Sequence, residues 1–121
     1  MRALILEAMR KAAVAWLEVS GRPAYPVWCV WIDDALYVVS GPGEQAAPGL
    51  ARAATANVSA RGDHGGTVVT WPALVSRVLP GSPEWSAVAP QLAAKRLNAE
   101  PAPVLVERWV GACTVSRLAP A

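Results

Sequence analysis

The first segment of the chain has the hydrophobic pattern of an amphipathic helix. At about 100° per residue, Ile5, Met9 and Trp16 fall on one face of residues 2–19, and most charged side chains fall on the other. The Ser-Gly-Arg-Pro that follows predicts the end of this helix, because glycine suits the position after a helix and proline cannot continue one. We expect a leading helix whose Trp16 face packs against apolar surface.

Two short apolar runs then predict a β-hairpin. Residues 27–32 and residues 36–40 are both apolar almost throughout, and Asp33 and Asp34 between them are typical of a tight turn. Their continuous apolar character indicates that both faces of these strands are covered.

The middle of the chain predicts a loop, a short helix and a second hairpin. Pro72, in the last strand of this region, predicts an edge or a bulge, because proline cannot donate to a β-ladder. The expected segments are a loop at 41–49, a short helix at 50–56, a strand at 57–61, a turn at 62–66 and a strand at 67–79.

The last third of the chain predicts a helix and a long strand. Ser82 is a suitable N-cap before proline and glutamate, and the helix is expected to reach about residue 98 with a break at Pro90. A proline-rich connector leads to a strand over 104–118, bent at Gly111. Tight turns between strands favour antiparallel pairing, and long irregular strands suit a small closed barrel. The pattern therefore predicts an α+β, barrel-like fold.

Composition adds limits to this picture. The chain has 121 residues, which fits one domain over 1–121, and its 54% hydrophobic and 17% charged residues exclude an intrinsically disordered chain. Its net charge of +2 lacks the basic stripe of a nucleic-acid binder, and no apolar run approaches the roughly 20 residues of a membrane span. So much apolar surface in a small chain predicts burial against a second subunit or a ligand.

Cysteine usage and the N-terminus point to a cytoplasmic protein without a metal. Cys29 and Cys113 lie far apart, and His64 is the single histidine, so a complete set of metal ligands is not expected. We expect two buried free thiols rather than a disulfide, and His64 in an exposed turn. Glu7 and the basic residues after it interrupt the first apolar run, which argues against a secretion signal.

The order of elements resembles the split-barrel family of flavin-binding proteins typified by pyridoxamine 5′-phosphate oxidase. The matching text is the hairpin, Tyr-Pro-Val-Trp-Cys-Val-Trp-Ile at 25–32 and Leu-Tyr-Val-Val-Ser at 36–40. The resemblance implies an α+β fold, a mainly antiparallel six-stranded split β-barrel with flanking helices. It also implies a homodimer that holds a flavin mononucleotide (FMN) or deazaflavin coenzyme in a groove between its subunits.

The resemblance also implies positions for the coenzyme phosphate. Ser40 would supply the hydroxyl at the end of the second strand, and Arg61 the cation on the third. Glu44 and Gln45 stand where the family has basic loop residues, and the next cation is Arg52. An acid is unfavourable beside a phosphate, so this loop leaves open a dimer without a cofactor.

Each candidate residue has a structural interpretation beside the functional one. The glycine-rich loop at 41–45 could present amides to an anion or form a plain turn, and Glu44 and Gln45 could contact a ligand or cap the next helix. Arg52 and Arg61 could clamp an anion or form ion pairs with Asp63 or Glu44.

The six tryptophans are expected mainly in the core or in an interface. Trp71 and Trp109 are the candidates for ligand contact. Trp28 and Trp31 are three positions apart, so on one strand they would face opposite sides and could not line one pocket.

The sequence thus favours a small flavin- or deazaflavin-dependent oxidoreductase whose chemistry belongs to the coenzyme. No nucleophilic triad or carboxylate pair is evident, so the catalytic residues stay unassigned. The alternative is a cofactor-free dimer that acts as a binding or assembly module. Haem binding has only the tryptophan content in its favour.

Overall fold

The computed structural model describes residues 2–61, 67–96 and 100–121. Within these residues the chain forms three α-helices, seven β-strands and one 3₁₀ turn at Leu50–Arg52. The elements in chain order are α1 (Arg2–Lys11), β1 (Val14–Glu18), β2 (Tyr25–Trp28), β3 (Val30–Ile32), β4 (Ala35–Ser40), β5 (Thr55–Arg61), β6 (Thr67–Val78), α2 (Pro83–Lys95), α3 (Ala102–Ala112) and β7 (Thr114–Pro120).

The strands form one antiparallel sheet that curls into a nearly closed barrel. The strand order is β2-β1-β5-β6-β7-β4-β3, so β2 and β3 are the two ends of the sheet. These end strands are consecutive in the chain, with only Cys29 between them. The place where they meet is called the seam below. The predicted α+β split barrel is confirmed, with seven strands instead of six.

The barrel has a filled interior and a helical layer outside. Ile5 and Met9 of α1 join Leu17, Val58 and Trp71 in the interior cluster. On the outside of β4 and β7, the helices α2 and α3 bury a second cluster that includes Tyr37, Trp85, Leu92, Leu105 and Trp109. All six residues of β4 are buried, which confirms that both faces of this strand are covered.

The predicted helix over 2–19 is wrong in its second half. The helix ends at Lys11, and Val14–Glu18 is strand β1, with Ala15 and Leu17 buried between more exposed neighbours. This strand pairs with both β2 and β5. The alternating burial and the pairing with two strands therefore determine the structure here, and not the helical spacing of apolar residues. Trp16 lies half-buried on the outer face of the sheet.

The predicted strand over 104–118 is wrong in its first half. Residues Ala102–Ala112 form α3, where Leu105 and Trp109, four positions apart, are the buried face. Gly111 lies in the last turn of this helix and is not a bend in a strand. Helix α2 ends at Lys95 and continues through Pro90 without the predicted break, and the short helix predicted at 50–56 is only a 3₁₀ turn before β5.

The turn predictions have mixed outcomes. Asp33 and Asp34 form the tight turn between β3 and β4, with φ of 47° and 63°. Pro72 pairs with Asn57 of β5, and its carbonyl accepts from the Ala121 amide at 2.9 Å on the β7 side, so the predicted edge at Pro72 is wrong. The register shift lies elsewhere, between Ala60 and Arg61. The predicted turn at 62–66, with His64, lies outside the described residues.

Candidate ligand-binding cleft

A cleft of about 590 Å³ opens where the barrel seam meets the C-terminal ends of α1 and α2. We call it the seam cleft. Its described lining includes four cations and two tryptophans and no Asp or Glu. These six residues are Arg10, Lys11, Lys95, Arg96, Trp28 and Trp31.

The cations come from the ends of two helices. Arg10 and Lys11 lie in the last turn of α1, Lys95 lies in the last turn of α2, and Arg96 is the C-cap of α2. Basic side chains at these ends offset the partial negative charge of the helix carbonyls. The net lining remains cationic, so the seam cleft favours an anionic ligand.

Trp28 and Trp31 line the same cleft, contrary to the sequence-based prediction. The two side chains do face opposite sides, as predicted, because Trp31 packs against the interior cluster and Trp28 against the outer one. Both still line the cleft, since it opens at the seam, where Cys29 alone separates β2 from β3. Trp31 also meets the buried Trp71 ring edge-on, with centroids 5.9 Å apart.

Gln45 bridges the barrel at the seam. Its Oε1 accepts from the Trp28 amide at 2.8 Å, and its Nε2 donates to the carbonyls of Trp28 at 2.9 Å and Val39 at 3.1 Å. Trp28 is the last residue of β2, and Val39 belongs to β4. One side-chain amide thus takes the place of a short stretch of β-ladder where β2 and β4 do not pair.

Glu44 is a fully buried carboxylate surrounded by donors. Its Oε1 accepts from Arg96 Nε at 2.8 Å, and its Oε2 accepts from Arg108 Nη2 at 3.0 Å and from Trp109 Nε1 at 3.1 Å. The side chain of Glu44 has 0% of its surface exposed. A buried carboxylate needs such compensation, since an unpaired one would carry a large desolvation cost.

The glycine-rich loop packs closely against α3. Gly41 has φ of 135° and Gly43 has φ of 81°, both in the region that glycine favours. A Cβ on Gly41 would lie 2.9 Å from the carbonyl oxygen of Ala112, and one on Gly43 would overlap Arg108 Nη1. These glycines let the loop approach α3, which brings Glu44 to its partners.

None of the seven predicted site residues lines the seam cleft, but three contact residues that do. Glu44 binds Arg96, Gln45 binds Trp28, and Trp71 contacts Trp31. Trp71 and Trp109 are themselves fully buried in the two cores.

The predicted phosphate ligands are dispersed. Ser40 is buried at the end of β4, opposite Thr114. Arg52 is exposed in the 3₁₀ turn. The Arg61 guanidinium lies 3.7 Å from the centre of the Trp16 ring on the outer sheet face, and the Glu44 carboxylate is bound to Arg96 and Arg108 instead.

Sequence reasoning missed the four cations of the seam cleft. The available signal was the placement of basic residues at the ends of two helices, but it required both helix boundaries. A helix predicted to run to residue 19 places Arg10 and Lys11 in its middle, whereas the helix ends at Lys11.

Both cysteines are buried free thiols, as predicted. Burial raises the pKa of Cys29, which also lines the seam cleft, to about 12. Burial raises the pKa of Cys113 as well, and the Glu44 carboxylate adds to the shift. Both thiols are therefore protonated near neutral pH, and neither is an activated nucleophile.

The described part of the chain has neither a cluster of metal ligands nor a long apolar helix. No three His, Cys, Asp or Glu side chains there come together in a way that could hold a metal ion. None of the helices described is both long and apolar enough to cross a membrane.

Comparison with known proteins identifies the fold. No family model matches the chain, and no curated protein matches it. Among solved structures, the heme storage protein HutZ of Vibrio cholerae aligns with a TM-score of 0.66 and 16% identity, over 97% of this chain and 87% of that protein. A pyridoxamine 5′-phosphate oxidase-like protein of Listeria innocua aligns with a TM-score of 0.65 and 18% identity, over 98% and 92% of the two chains.

A FAD-binding protein of Mesorhizobium loti aligns with a TM-score of 0.63 and 16% identity, over 99% of this chain and 87% of that one. At such identities the comparisons establish a shared fold. The resemblance to the split-barrel proteins, drawn from the order of elements, is confirmed at that level.

Proposed function

We propose that the seam cleft binds a flavin or deazaflavin coenzyme and that the protein is a small oxidoreductase that uses it. The observation that carries this proposal is the lining, which gathers two indoles and four cations without a carboxylate among its described residues. A flavin coenzyme has a flat aromatic ring system and a tail that bears phosphate. The lining suits both parts, since indoles stack on flat rings and cations bind phosphate.

The residues of the seam cleft divide by chemistry. Trp28 and Trp31 would contact the ring system, while Arg10, Lys11 and Lys95 would neutralise the phosphate. A bound flavin supplies electron or hydride transfer, and the protein supplies binding, orientation and exclusion of water. Cys29 would stay a neutral thiol beside the ligand, because its pKa is about 12.

The structural neighbours support a planar redox group in this fold. One of them is a FAD-binding protein, and another is a heme storage protein. Heme is also flat and carries carboxylates, so the same lining would accept it. The cationic tail site alone does not separate the two, and both belong in the test.

The test is a visible spectrum of the purified protein, followed by titration with FMN, FAD, a deazaflavin and hemin. We expect saturable flavin binding that the Lys11→Ala and Lys95→Ala variants each weaken about fivefold, the effect of an ion pair of about 1 kcal/mol. The matched controls are Arg52→Ala and Arg61→Ala, which remove cations outside the seam cleft. If only the controls weaken binding, the coenzyme lies on the residues that the resemblance implies and not in this cleft.

A colourless protein that binds none of these ligands would overturn the proposal. It would favour the cofactor-free module, for which one observation speaks. Glu44 and Gln45, at the loop positions where the family has cations, are fully engaged with protein groups.

A further inference from the structure

Two consecutive residues hold opposite walls of the seam cleft. Gln45 binds the backbone of Trp28 on the β2 wall with both its donor and its acceptor. Glu44 binds Arg96, the C-cap residue of α2, on the other wall. Neither Glu44 nor Gln45 lines the cleft itself.

The loop that carries this pair is itself fixed. The Glu44 amide donates to the Gly41 carbonyl at 2.9 Å, and the Gly41 amide donates to the Gln45 carbonyl at 3.1 Å. Arg108 adds a third tie from α3, since its Nη1 donates to the Pro42 carbonyl at 3.1 Å. The two side chains therefore extend from a rigid base in two directions.

We infer that Glu44 and Gln45 are positioning residues of the seam cleft. They set the distance between the β2 wall, at Trp28, and the α2 wall, at Arg96, and so set the affinity of the cleft for the coenzyme. This inference rests on the proposed function. It differs from both sequence-based interpretations, in which this pair contacts the ligand directly or caps the next helix.

The residue types suit these roles. At position 45 the side chain accepts from one backbone amide and donates to two carbonyls, and an amide of this length supplies all three bonds near neutral pH. An ionised glutamate could accept but not donate, and a methionine of similar shape could not donate and would accept only weakly. At position 44 a carboxylate accepts from three donors at once.

The first experiment uses Gln45→Met, with Val58→Ala as the matched control because it weakens the barrel interior away from the cleft. Hydrogen exchange of the Trp28 amide measures how firmly Gln45 holds the β2 wall, and it needs no ligand. We expect exchange in Gln45→Met to be about tenfold faster than in wild type, as the loss of one hydrogen bond predicts. Exchange in Val58→Ala should stay slower than in Gln45→Met. FMN affinity, measured where both variants are folded, should fall about tenfold in Gln45→Met relative to Val58→Ala.

The pH dependence of FMN affinity in Gln45→Glu separates a positioning role from a merely structural one. A protonated glutamate can both donate and accept, so FMN affinity in this variant should recover as the pH falls through the carboxyl pKa. Wild type and Val58→Ala should lack this recovery.

The second experiment tests Glu44 against simple electrostatics. Removing a negative charge near a cationic cleft should tighten the binding of an anion. If Glu44 positions α2, Glu44→Gln should instead weaken FMN binding, while Glu100→Gln, which removes an exposed carboxylate beside Arg108, should not. Tighter binding in Glu44→Gln would overturn the inference for this residue.

The two proposals fail in different ways. If the wild-type protein binds no flavin, the proposed function fails, while the exchange of the Trp28 amide still shows whether Gln45 holds the wall. If Gln45→Met loses that protection but binds FMN like Val58→Ala, the wall does not set affinity and the positioning role is wrong.

Discussion

Glu44 is the fully buried member of two ion pairs. Its carboxylate has no exposed surface and accepts from two guanidinium groups and an indole. The guanidinium groups that remain after removal of Glu44 are 32% and 31% exposed, so water can solvate them and the cost is that of lost charge-assisted hydrogen bonds, typically about 1.5–3 kcal/mol. We expect Glu44→Ala to lower the free energy of unfolding by about that amount, measured by urea denaturation. Glu100→Ala, which removes an exposed partner of Arg108, should cost under about 1 kcal/mol.

Cys29 should make stability fall at alkaline pH. Its pKa rises from 9.0 to about 12 on folding because of burial, so the folded protein holds the proton more tightly than the unfolded chain does. The resulting stabilisation is complete below the unfolded pKa and is lost as the pH rises from about 9 towards 12. Unfolding free energies of wild type and Cys29→Ala, compared at about pH 8 and pH 11, should converge at the higher pH. A constant difference would contradict this assignment.

At the scale of single residues, the sequence pointed to residues that matter in the structure but not to their roles. Glu44 and Gln45 stand out because polar groups follow a buried strand. Their partners lie up to 65 positions away for Glu44 and 17 for Gln45. Local spacing carries no information on such contacts, so it does not decide between a ligand and a distant protein partner.

At the scale of elements, Gly43 tests how closely the loop must approach α3. Gly43 and Gly81 have similar positive φ, of 81° and 86°, but only a Cβ on Gly43 would meet Arg108. We expect Gly81→Ala to cost about 1 kcal/mol from backbone strain and Gly43→Ala to cost about 1–2 kcal/mol more. The extra cost should shrink in a Glu44→Gln background, because Arg108 then loses its ion pair with Glu44 and is held less tightly. Equal costs for the two glycines in thermal unfolding would show that the approach is not needed.

The type and limits of an element were predictable where turn or capping residues mark its ends. The β3–β4 turn and the start of α2 at Ser82 were confirmed, and both depend on short-range chemistry. The errors fell where helix and strand meet without a glycine or a proline between them. Only Ala12 and Ala13 separate α1 from β1, and only Cys113 separates α3 from β7, so the sequence offered no clear breaker at either junction.

At the scale of the whole molecule, the outer face of β1, β5 and β6 has no helix over it among the described residues. It exposes Val14 and Leu74 together with Trp16, Glu18 and Arg61. We propose that a second copy of the chain covers it. Glu18 and Arg61 carry opposite charges on this one face, so two copies related by a two-fold axis could pair each with the other.

Sedimentation of the purified chain tests this dimer. We expect a dimer at micromolar concentration that Leu74→Asp converts to a monomer, since a buried unpaired carboxylate opposes association. Val104→Asp is the matched control, because Val104 on α3 has 54% of its surface exposed, close to the 55% of Leu74, and lies off this face. A monomeric wild type, or equal effects of both variants, would contradict the proposed interface.

The seam has a consequence for the rate at which the barrel opens. Its two strands are joined by Cys29, and the sheet that links them the other way round depends on long-range pairs, such as β1 with β5 and β4 with β7. The three bonds of Gln45 join β2 to β4 across this sheet, so we expect them to form after the transition state of folding. Gln45→Met is then expected to speed unfolding and leave refolding unchanged in stopped-flow measurements. In that case the residue acts as a latch, which governs how long the closed barrel lasts and not how fast it forms.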